Sequence, residues 1–519
     1  MTEILDTTLR DGEQTAGVSF NANEKLAIAG LLLEELKVDR IEVASAKVSD
    51  GEKEAFAKIC SWAASNGYTD RVEALGFLDG DESIDWIAGC GGHVMNILAK
   101  GSLRHLEKQL RKTPSEHASD IKTAVRKAAR KGISCNIYLE DWSNGMMNSK
   151  DYVFGLLDDI IGCGIKRFML PDTLGVLDPQ KTAGFCGEIR RRYAGAHFDF
   201  HAHNDYSLAV ANSLAAVRAG FDGVHATVNG LGERCGNAPL AALVAVLNDI
   251  SREKTRVDES ALSHVCKLVS SMSGIRIPAN EPIVGENAFT QSAGIHADGD
   301  NKAHLYENPL LPQRFGRERS YALGKVSGKA NIVKNLASLG IKLTDDQIKL
   351  VTRRVVELGD KKEAIAADDL PFIIADVLKS SHSIGSDNIK ILNYSMQLTR
   401  GMRPVALVKL SIHGKDYEAS SVGDGQYNAF MNALWSIYDS LGKKHPRLTD
   451  YQVSIPPGGK TDALVSTTIV WNNEGHEFKT RGIDSDQTEA AIKATVKMLN
   501  IIENLDILNN ETENRKVAR

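Results

Sequence analysis

The chain has 519 residues, of which 42% are hydrophobic and 25% are charged, a composition typical of a globular protein with roughly two to four domains. Its net charge of −5 gives no indication of a nucleic-acid partner or of binding to an anionic membrane surface. No apolar run approaches the roughly 18 residues of a membrane span, which argues against an integral membrane protein.

The first residues, Met1 to Gln14, lack the basic and apolar regions of a signal peptide. The seven cysteines form no CxxC pair, and none follows Cys266. An odd number of scattered thiols is typical of reduced cysteines rather than of disulfides or a cysteine-ligated zinc. We therefore expect a cytoplasmic protein.

Eight short runs of β-forming residues alternate with amphipathic segments of helical length over about the first 250 residues. The runs begin at Ile4, Val38, Arg71, His93, Ser134, Arg167, Phe198 and Gly223. This number of units predicts an α/β fold, a TIM (β/α)8 barrel, over residues 1–280. A doubly wound sheet is the alternative, although it usually carries fewer strands.

Residues 281–387 are predicted to form a linker with a small helical subdomain. The segment 343–361, LTDDQIKLVTRRVVELGDK, has the apolar spacing of a helix. It follows a loop-rich stretch, 286–309, with the sequence ENAFTQSAGIHADGDNKAHLYENP. We expect this region to connect the barrel to a third domain.

Residues 388–519 contain an internal repeat at an offset of 61 residues. The aligned positions are Gly414, Tyr417, Val422, Gln426, Ala429 and Ala433 with Gly475, Phe478, Ile483, Gln487, Ala490 and Ala494. Each copy predicts strands, a short polar loop and an amphipathic helix, so two copies would bury one shared core as an α+β domain. We expect this pseudo-symmetric domain to sense a ligand or to dimerise rather than to catalyse.

Polar side chains stand at the predicted carboxyl ends of several strands, where a (β/α)8 barrel carries its chemistry. They are Arg10 and Asp11 after strand one, Tyr138 and Glu140 on strand five, Thr173 after strand six, His201 and His203 on strand seven, and Asn237 after strand eight. These residues are therefore the candidates for a functional site.

The sharpest local signal is His201-Ala202-His203, because residues two apart on a strand project from the same face. With Asp11 across the barrel, the two imidazoles predict a two-histidine, one-carboxylate metal site with open positions for a bidentate 2-oxo acid. A lone histidine would more often be a hydrogen-bonded core residue, but the pair favours a metal. The ligand set suits Zn, Mn, Mg or Co about equally.

Arg10 either forms only an ion pair with Asp11 or stabilises an oxyanion that develops during a reaction. The glycine-rich turn at 229–237 spaces its glycines as GxGxxxG and follows the last strand, so it is a poor match to a dinucleotide-binding turn. Asn237, at the end of this turn, stands where it could support the metal.

Three motifs together resemble one enzyme family. They are LRDGEQ (9–14) followed by ten residues and Lys25, HAHND (201–205), and GERCGN (232–237). By these motifs the chain is identified as a member of the 2-isopropylmalate, homocitrate and citramalate synthase family, barrel metalloenzymes that condense acetyl-CoA with 2-oxo acids. The resemblance covers the whole chain, and the run NIYLEDWSNG (136–145) is most similar to the citramalate synthases.

The resemblance implies roles for the residues at the strand ends. The implied metal ligands are Asp11, His201 and His203, with Asn237 as a supporting group. Arg10 matches the arginine that stabilises the oxyanion, and Thr173 matches the threonine that holds the substrate carboxylate.

The resemblance also implies a base delivered by the linker. Glu140 matches a glutamate that works with a histidine, and His296 matches that histidine. In the family this linker reaches over from the partner subunit, which implies a homodimer. Tyr306 matches a second linker residue at the site.

The implied substrates are acetyl-CoA and pyruvate, because Leu75, Leu98 and Tyr138 match the residues that close around the pyruvate methyl group in citramalate synthases. A 2-isopropylmalate synthase, which uses 2-oxoisovalerate, is the nearest alternative, and a homocitrate synthase is a further one. A non-catalytic metabolite sensor is the alternative from another class, but the intact set of site residues argues against it.

The C-terminal repeat resembles the regulatory domain of the same family, which in citramalate synthases binds isoleucine. The residues that match an effector pocket are Tyr427, Tyr451, Ile455, Val465 and Gln487. Apolar walls with a few polar groups would suit an aliphatic amino acid. The alternative is that these residues are the core of a dimerisation domain.

Overall fold

The computed structural model describes residues 1–251, 253–303, 305–338, 341–360, 370, 373–374, 377, 388–454 and 465–517. The chain divides into two compact units. The first comprises Met1–Thr290 and Glu307–Arg319, and the second comprises Gln291–Tyr306 and Ser320–Arg519. The predicted domain boundaries after residues 280 and 387 stay predictions.

Eight parallel strands close into a barrel in the first unit, and their spatial order follows the chain. They are β1 Glu3–Asp6, β2 Arg40–Ser45, β3 Val72–Gly76, β4 Val94–Lys100, β5 Ser134–Glu140, β6 Ile165–Asp172, β7 Phe198–Ala202 and β8 Gly223–Ala226. Each of the eight predicted runs overlaps one of these strands, so the predicted (β/α)8 fold is confirmed.

Helices lie along the chain between and after these strands. They are α1 Ala22–Gly30, α2 Asp50–Asn66, α3 Glu82–Gly89, α4 Leu103–His105, α5 Pro114–Arg130, α6 Trp142–Asn148, α7 Lys150–Ile160, α8 Pro179–Arg192, α9 Ala209–Arg218, α10 Leu240–Ile250 and α11 Leu262–Ser273. Alternate strand residues such as Ile97, Ile137 and Phe200 join the main core that the helices cover. Their neighbours along each strand point into the barrel.

The elements that follow the barrel along the chain are β9 Thr290–Gln291, α12 Gly294–Ala303, β10 Ser320–Tyr321, α13 Lys329–Ser338 and α14 Asp345–Asp360. Helix α14 coincides with the helix predicted over 343–361. Helices α13 and α14 contribute most of a small separate core, in which Ile332, Val351 and Val355 are fully enclosed. The predicted helical subdomain is therefore present.

The C-terminal repeat consists of two copies of three antiparallel strands followed by a helix. The first copy is β11 Ile389–Gln397, β12 Val405–Ile412, β13 Lys415–Val422 and α15 Gln426–Ser440. The second copy is β14 Arg447–Ser454, β15 Val465–Asn473, β16 His476–Asp484 and α16 Gln487–Val517. Both copies contribute to one core, with Phe430 and Leu434 from the first and Trp471 and Met498 from the second. The predicted pseudo-repeat with a shared core is confirmed.

The same tight turn closes a hairpin in each copy of the repeat. His413 and Gly414 join β12 to β13 with φ values of +50° and +78°, and Glu474 and Gly475 join β15 to β16 with +51° and +94°. Two consecutive residues with positive φ are typical of a type I′ turn, which prefers glycine at its second position. The aligned glycines at 414 and 475 are therefore explained by backbone conformation.

Within the described ranges, every helix is either too short or too polar to cross a lipid bilayer. All seven cysteines are unpaired, in agreement with the expectation of free thiols.

The hairpin turns generate a prediction about stability. Gly414→Ala should lower the free energy of unfolding of the C-terminal domain by about 1–2 kcal/mol, because an L-residue is strained at this positive φ. Gly414→Asn is the matched control, since asparagine tolerates a positive φ better than alanine does and nothing lies within 4 Å of the Cβ position of Gly414. Differential scanning calorimetry should show a larger fall in melting temperature for Gly414→Ala than for Gly414→Asn. Equal shifts would contradict the turn assignment.

Candidate active site

Asp11, His201 and His203 meet at the carboxyl end of the barrel. Asp11 follows β1, His201 lies in β7, and His203 comes directly after that strand. The His201 Nε2 atom lies 3.1 Å from Asp11 Oδ2 and 3.4 Å from His203 Nε2. One ligand atom of each residue lies within 4.8 Å of the other two, and all three residues are buried. We call these three residues the ligand trio.

The charge state of the ligand trio suits a cation. Burial by itself raises the pKa of the Asp11 carboxyl, but the neighbouring Arg10 guanidinium and His201 more than offset this and hold that pKa well below its usual range. Burial lowers the pKa of His201, and burial together with the His201 ring lowers the pKa of His203 to about 4. At neutral pH the trio therefore offers a carboxylate and two neutral imidazoles, the forms that bind metals.

Asn237 lies beside the ligand trio, where it pairs with His203 in an antiparallel bridge and donates from Nδ2 to the Leu231 carbonyl at 3.1 Å. A Cβ at Gly232 would stand 2.2 Å from Asn237 Nδ2, so glycine at that position leaves room for the amide. The Oδ1 atoms of Asn237 and Asp11 are buried without a hydrogen-bond partner among the described residues. Buried acceptors without a partner are costly, and a divalent cation would satisfy them. The donor set therefore fits a metal ion.

Arg10 lies between two carboxylates at the edge of the ligand trio. Its Nη1 atom is 3.2 Å from Asp11 Oδ2, and its Nη2 atom is 2.6 Å from Glu42 Oε2. The Nη2 atom also donates to the Tyr138 hydroxyl at 3.4 Å. The guanidinium is thus held in place by its neighbours, and it can stabilise negative charge that develops next to the trio.

A small apolar cluster, separate from the main core of this unit, consists of Leu5, Leu75, Tyr138 and Met169, with Leu98 packed against it. Leu98 in β4 stands opposite Tyr138 in β5, which in turn stands opposite Met169 in β6. The structure thus brings together the three predicted substrate residues Leu75, Leu98 and Tyr138. We call this cluster the apolar wall. Its tyrosine contacts Arg10 and so connects the wall to the ligand trio.

Glu140 and Thr173 stand at the carboxyl ends of the neighbouring strands β5 and β6. The Glu140 carboxylate forms an ion pair with the ammonium of Lys100, the last residue of β4. The Thr173 hydroxyl oxygen accepts a hydrogen bond from the Asp141 backbone N–H at 2.9 Å, so its hydrogen can be donated to another acceptor. Both residues lie at the same end of the barrel as the ligand trio.

His296 and Tyr306 belong to the second unit, where they stand in α12 and shortly after it. Their ring centroids are 4.3 Å apart. His296 is exposed, and Tyr306 is 45% exposed. The structure therefore brings these two predicted linker residues together, while Glu140, which is predicted to work with His296, belongs to the first unit.

Three of the predicted effector residues meet in the C-terminal repeat. The rings of Tyr427 and Tyr451 have centroids 5.5 Å apart, and the Gln487 side chain is a hydrogen-bond partner of Tyr451. Val465 is buried at the start of β15. Ile455 lies outside the described residues.

Three buried residues at the site were missed from the sequence, namely Glu42, Lys100 and His225. Lys100 could have been found as a polar residue at the carboxyl end of a predicted strand, because it is the last residue of β4. Glu42 and His225 lie inside β2 and β8, and the signal that could have found them is a charged or titratable residue within a β-rich run.

Comparison with known families divides the chain into three matched segments. Residues 1–269 match the HMGL-like family, and residues 283–363 match a domain described as homocitrate synthase post-HMGL domain-like. Residues 364–503 match the LeuA allosteric (dimerisation) domain.

Full-length relatives carry two different names. An (R)-citramalate synthase of Methanocaldococcus jannaschii is 33% identical over 506 residues, which cover 97% of this chain and 100% of that protein. A 2-isopropylmalate synthase of the same organism is also 33% identical over 507 residues, which cover 96% of this chain and 94% of that protein. Overall identity therefore does not separate the two activities.

The geometry of the ligand trio generates a prediction about metal binding. Asp11→Asn and His203→Ala should each lose the bound divalent metal, because each removes one of three converging ligands. Glu140→Gln should keep it, since Glu140 pairs with Lys100 rather than with the trio. Metal content of the purified proteins, measured by mass spectrometry, tests this. Unchanged metal in both ligand variants would show that the trio is not the metal site.

Proposed function

Because the chain belongs to the citramalate and 2-isopropylmalate synthase family of acyl-transferring condensing enzymes, we propose that it joins the acetyl group of acetyl-CoA to pyruvate and releases (R)-citramalate and CoA. The observation that carries the proposal is the convergence of three elements at one end of the barrel. These are the ligand trio, the fixed guanidinium of Arg10 and the apolar wall.

The groups around the ligand trio provide the chemistry for the 2-oxo acid. Asp11, His201 and His203 would hold a divalent ion, which would supply a Lewis acid for the keto oxygen. Arg10 offers a fixed positive charge for the negative charge that develops on this oxygen when the new C–C bond forms. Thr173 donates its hydroxyl hydrogen to the substrate carboxylate. Asp11 and Glu42 hold the Arg10 guanidinium in place before substrate arrives, which is the condition for electrostatic stabilisation of a transition state.

The second task is to remove a proton from the acetyl methyl group, which is a very weak acid. A positioned base contributes roughly 10²–10⁴-fold to such a step. His296 is the proposed base, and Glu140 would fix its tautomer and stabilise the imidazolium. The partner subunit of a homodimer is the proposed source of His296. Hydrolysis of the thioester then releases CoA and makes the sequence irreversible.

The apolar wall supports pyruvate as the 2-oxo acid. Leu75 and Tyr138 are almost fully buried, with exposures of 6% and 3%, so the space beside the trio is closed by large side chains. The Tyr138 hydroxyl is held by Arg10 and Glu42, so the ring cannot easily turn away. A methyl group fits such a wall better than the isopropyl group of 2-oxoisovalerate. 2-Oxoisovalerate is the alternative substrate, because one relative is named a 2-isopropylmalate synthase.

The substrate proposal predicts a clear preference for pyruvate over 2-oxoisovalerate. Shape exclusion by overpacking costs roughly 1–3 kcal/mol, or about 5- to 150-fold in kcat/KM. Leu98→Ala should reduce this preference by enlarging the pocket. Val94→Ala, at the amino end of the same strand, is the control that should leave the ratio unchanged. The rate of CoA release with each 2-oxo acid measures the ratio of kcat/KM. Equal or faster turnover of 2-oxoisovalerate by the unmodified enzyme would refute the proposal.

We also propose that the LeuA-type domain binds isoleucine and lowers activity. Tyr427, Tyr451 and Gln487 combine aromatic surface with an amide, a mixture that suits an aliphatic amino acid. The route of coupling would be the linker that carries His296, so the effector would act by misplacing the base without touching the ligand trio.

The regulatory proposal predicts that isoleucine inhibits more strongly than leucine. Gln487→Ala should weaken inhibition by isoleucine, because it removes the amide beside Tyr451. Gln452→Ala is the matched control, since Gln452 is exposed on β14 next to Tyr451. Inhibition curves for both amino acids test this. Stronger inhibition by leucine would favour a 2-isopropylmalate synthase, and insensitivity to both would leave the domain with dimerisation alone.

A further inference from the structure

His225 occupies a central position inside the barrel, beneath the ligand trio. It lies in β8, is 1% exposed, and contacts a metal-ligand candidate on one side and a buried carboxylate on the other. Its Nδ1 atom is 3.3 Å from His201 Nδ1, and its Nε2 atom is 3.4 Å from Asp199 Oδ2. The two imidazoles and the carboxylate therefore form a continuous chain that ends at the trio.

Hydrogen-bond chemistry assigns the proton of His225. Asp199 is fully buried and forms an ion pair with Arg40, and its other carboxylate oxygen lies 2.8 Å from His197 Nε2. A carboxylate can only accept, so the His225 nitrogen that faces it must carry the hydrogen. The hydrogen of His225 is thus on Nε2, and its Nδ1 atom is an acceptor.

The same logic then applies to His201. Its Nδ1 atom faces the acceptor on His225, so a hydrogen on His201 Nδ1 makes a hydrogen bond. That arrangement leaves the lone pair of His201 on Nε2, the atom that lies 3.1 Å from Asp11 and 3.4 Å from His203. With a divalent ion in the trio, this lone pair would face the ion rather than the Asp11 carboxylate. The opposite tautomer would then set the lone pairs of His201 Nδ1 and His225 Nδ1 against each other in a buried site, which is unfavourable.

Tyr138 is the other neighbour of His225 Nδ1, with its hydroxyl oxygen at 3.2 Å. This hydroxyl has a second acceptor, because Glu42 Oε2 also lies 3.2 Å away. A hydrogen bond to a carboxylate is stronger than one to a neutral ring nitrogen. The tyrosine hydrogen can therefore point to Glu42 and leave His225 Nδ1 to His201.

We propose that Asp199 and His225 are positioning residues that hold the His201 ring in the tautomer whose Nε2 lone pair faces the metal. The inference rests on the ligand trio of the proposed function and adds the residues that prepare one of its members. Metal-ligating histidines are commonly oriented by a hydrogen bond at the other ring nitrogen, and loss of such a partner typically weakens metal binding about 10- to 100-fold. Here that partner is a second histidine, itself oriented by a buried ion pair.

The test compares two variants of the full-length protein, His225→Phe and Tyr138→Phe. The first keeps a ring but removes the acceptor for His201, and the second removes only the competing hydroxyl. Titration of the metal-free proteins with Co²⁺, followed by its visible absorption, should show about 10- to 100-fold weaker binding for His225→Phe. Tyr138→Phe should bind Co²⁺ as the unmodified protein does. His225→Asn, which can place an amide oxygen near the former Nδ1, should recover most of the affinity.

Native Co²⁺ affinity in a folded His225→Phe protein would overturn the proposal. If the unmodified protein bound no Co²⁺, the proposed metal site itself would fail, which is a different outcome. A second measurement does not depend on the variant folding. Long-range ¹H–¹⁵N spectra of the Zn²⁺-loaded protein with labelled histidine rings, assigned with His201→Gln and His225→Asn, should place the His201 hydrogen on Nδ1 and the His225 hydrogen on Nε2. A hydrogen on His225 Nδ1 would refute the proposal, because that nitrogen could then not accept from His201.

Discussion

The interior of the barrel depends on one constraint, which is that every buried charge must have a partner. Glu42 forms an ion pair with Arg10. Asp199 forms an ion pair with Arg40, which also pairs with Glu73. Removing one member of a buried pair leaves the other charge buried without a partner, which lowers the free energy of unfolding by roughly 3–5 kcal/mol. These side chains therefore hold each other in fixed positions. The ligand trio is connected to this network at two points, because Arg10 also pairs with Asp11, and His225 lies between His201 and Asp199.

The same network explains how the ligand trio and the apolar wall share one small space. Tyr138 is both an apolar surface beside Leu75 and Leu98 and a polar partner of Arg10 and Glu42. A change in this ring would therefore alter both the shape of the substrate pocket and the hydrogen bonds around the guanidinium. Substrate choice and charge stabilisation are physically linked at this residue.

Much of this arrangement could be predicted from the sequence, because strand position alone determines which end of the barrel a residue reaches. The eight strands follow from β-rich runs that alternate with segments of helical period, the histidine pair at the end of β7 follows from a spacing of two residues, and the C-terminal repeat follows from an offset of 61 residues. Pairing across the barrel does not follow from spacing, since Arg10 and Glu42 lie on different strands and nothing local indicates which side chains meet. For this reason Glu42 and His225 emerged only from the structure, whereas Lys100 is the last residue of β4 and could have been found by its position at a strand end. His225 matters because it faces His201.

The central claim is that the barrel forms a carbon–carbon bond between the acetyl methyl group and a 2-oxo acid. The most direct measurement uses acetyl-CoA labelled with ¹³C in the methyl carbon, pyruvate, a divalent metal and the purified full-length enzyme. ¹³C NMR should show the label in the methylene carbon of citramalate, and CoA should be released in equal amount. Labelled acetate and CoA without citramalate would contradict the account, because the enzyme would then only hydrolyse the thioester.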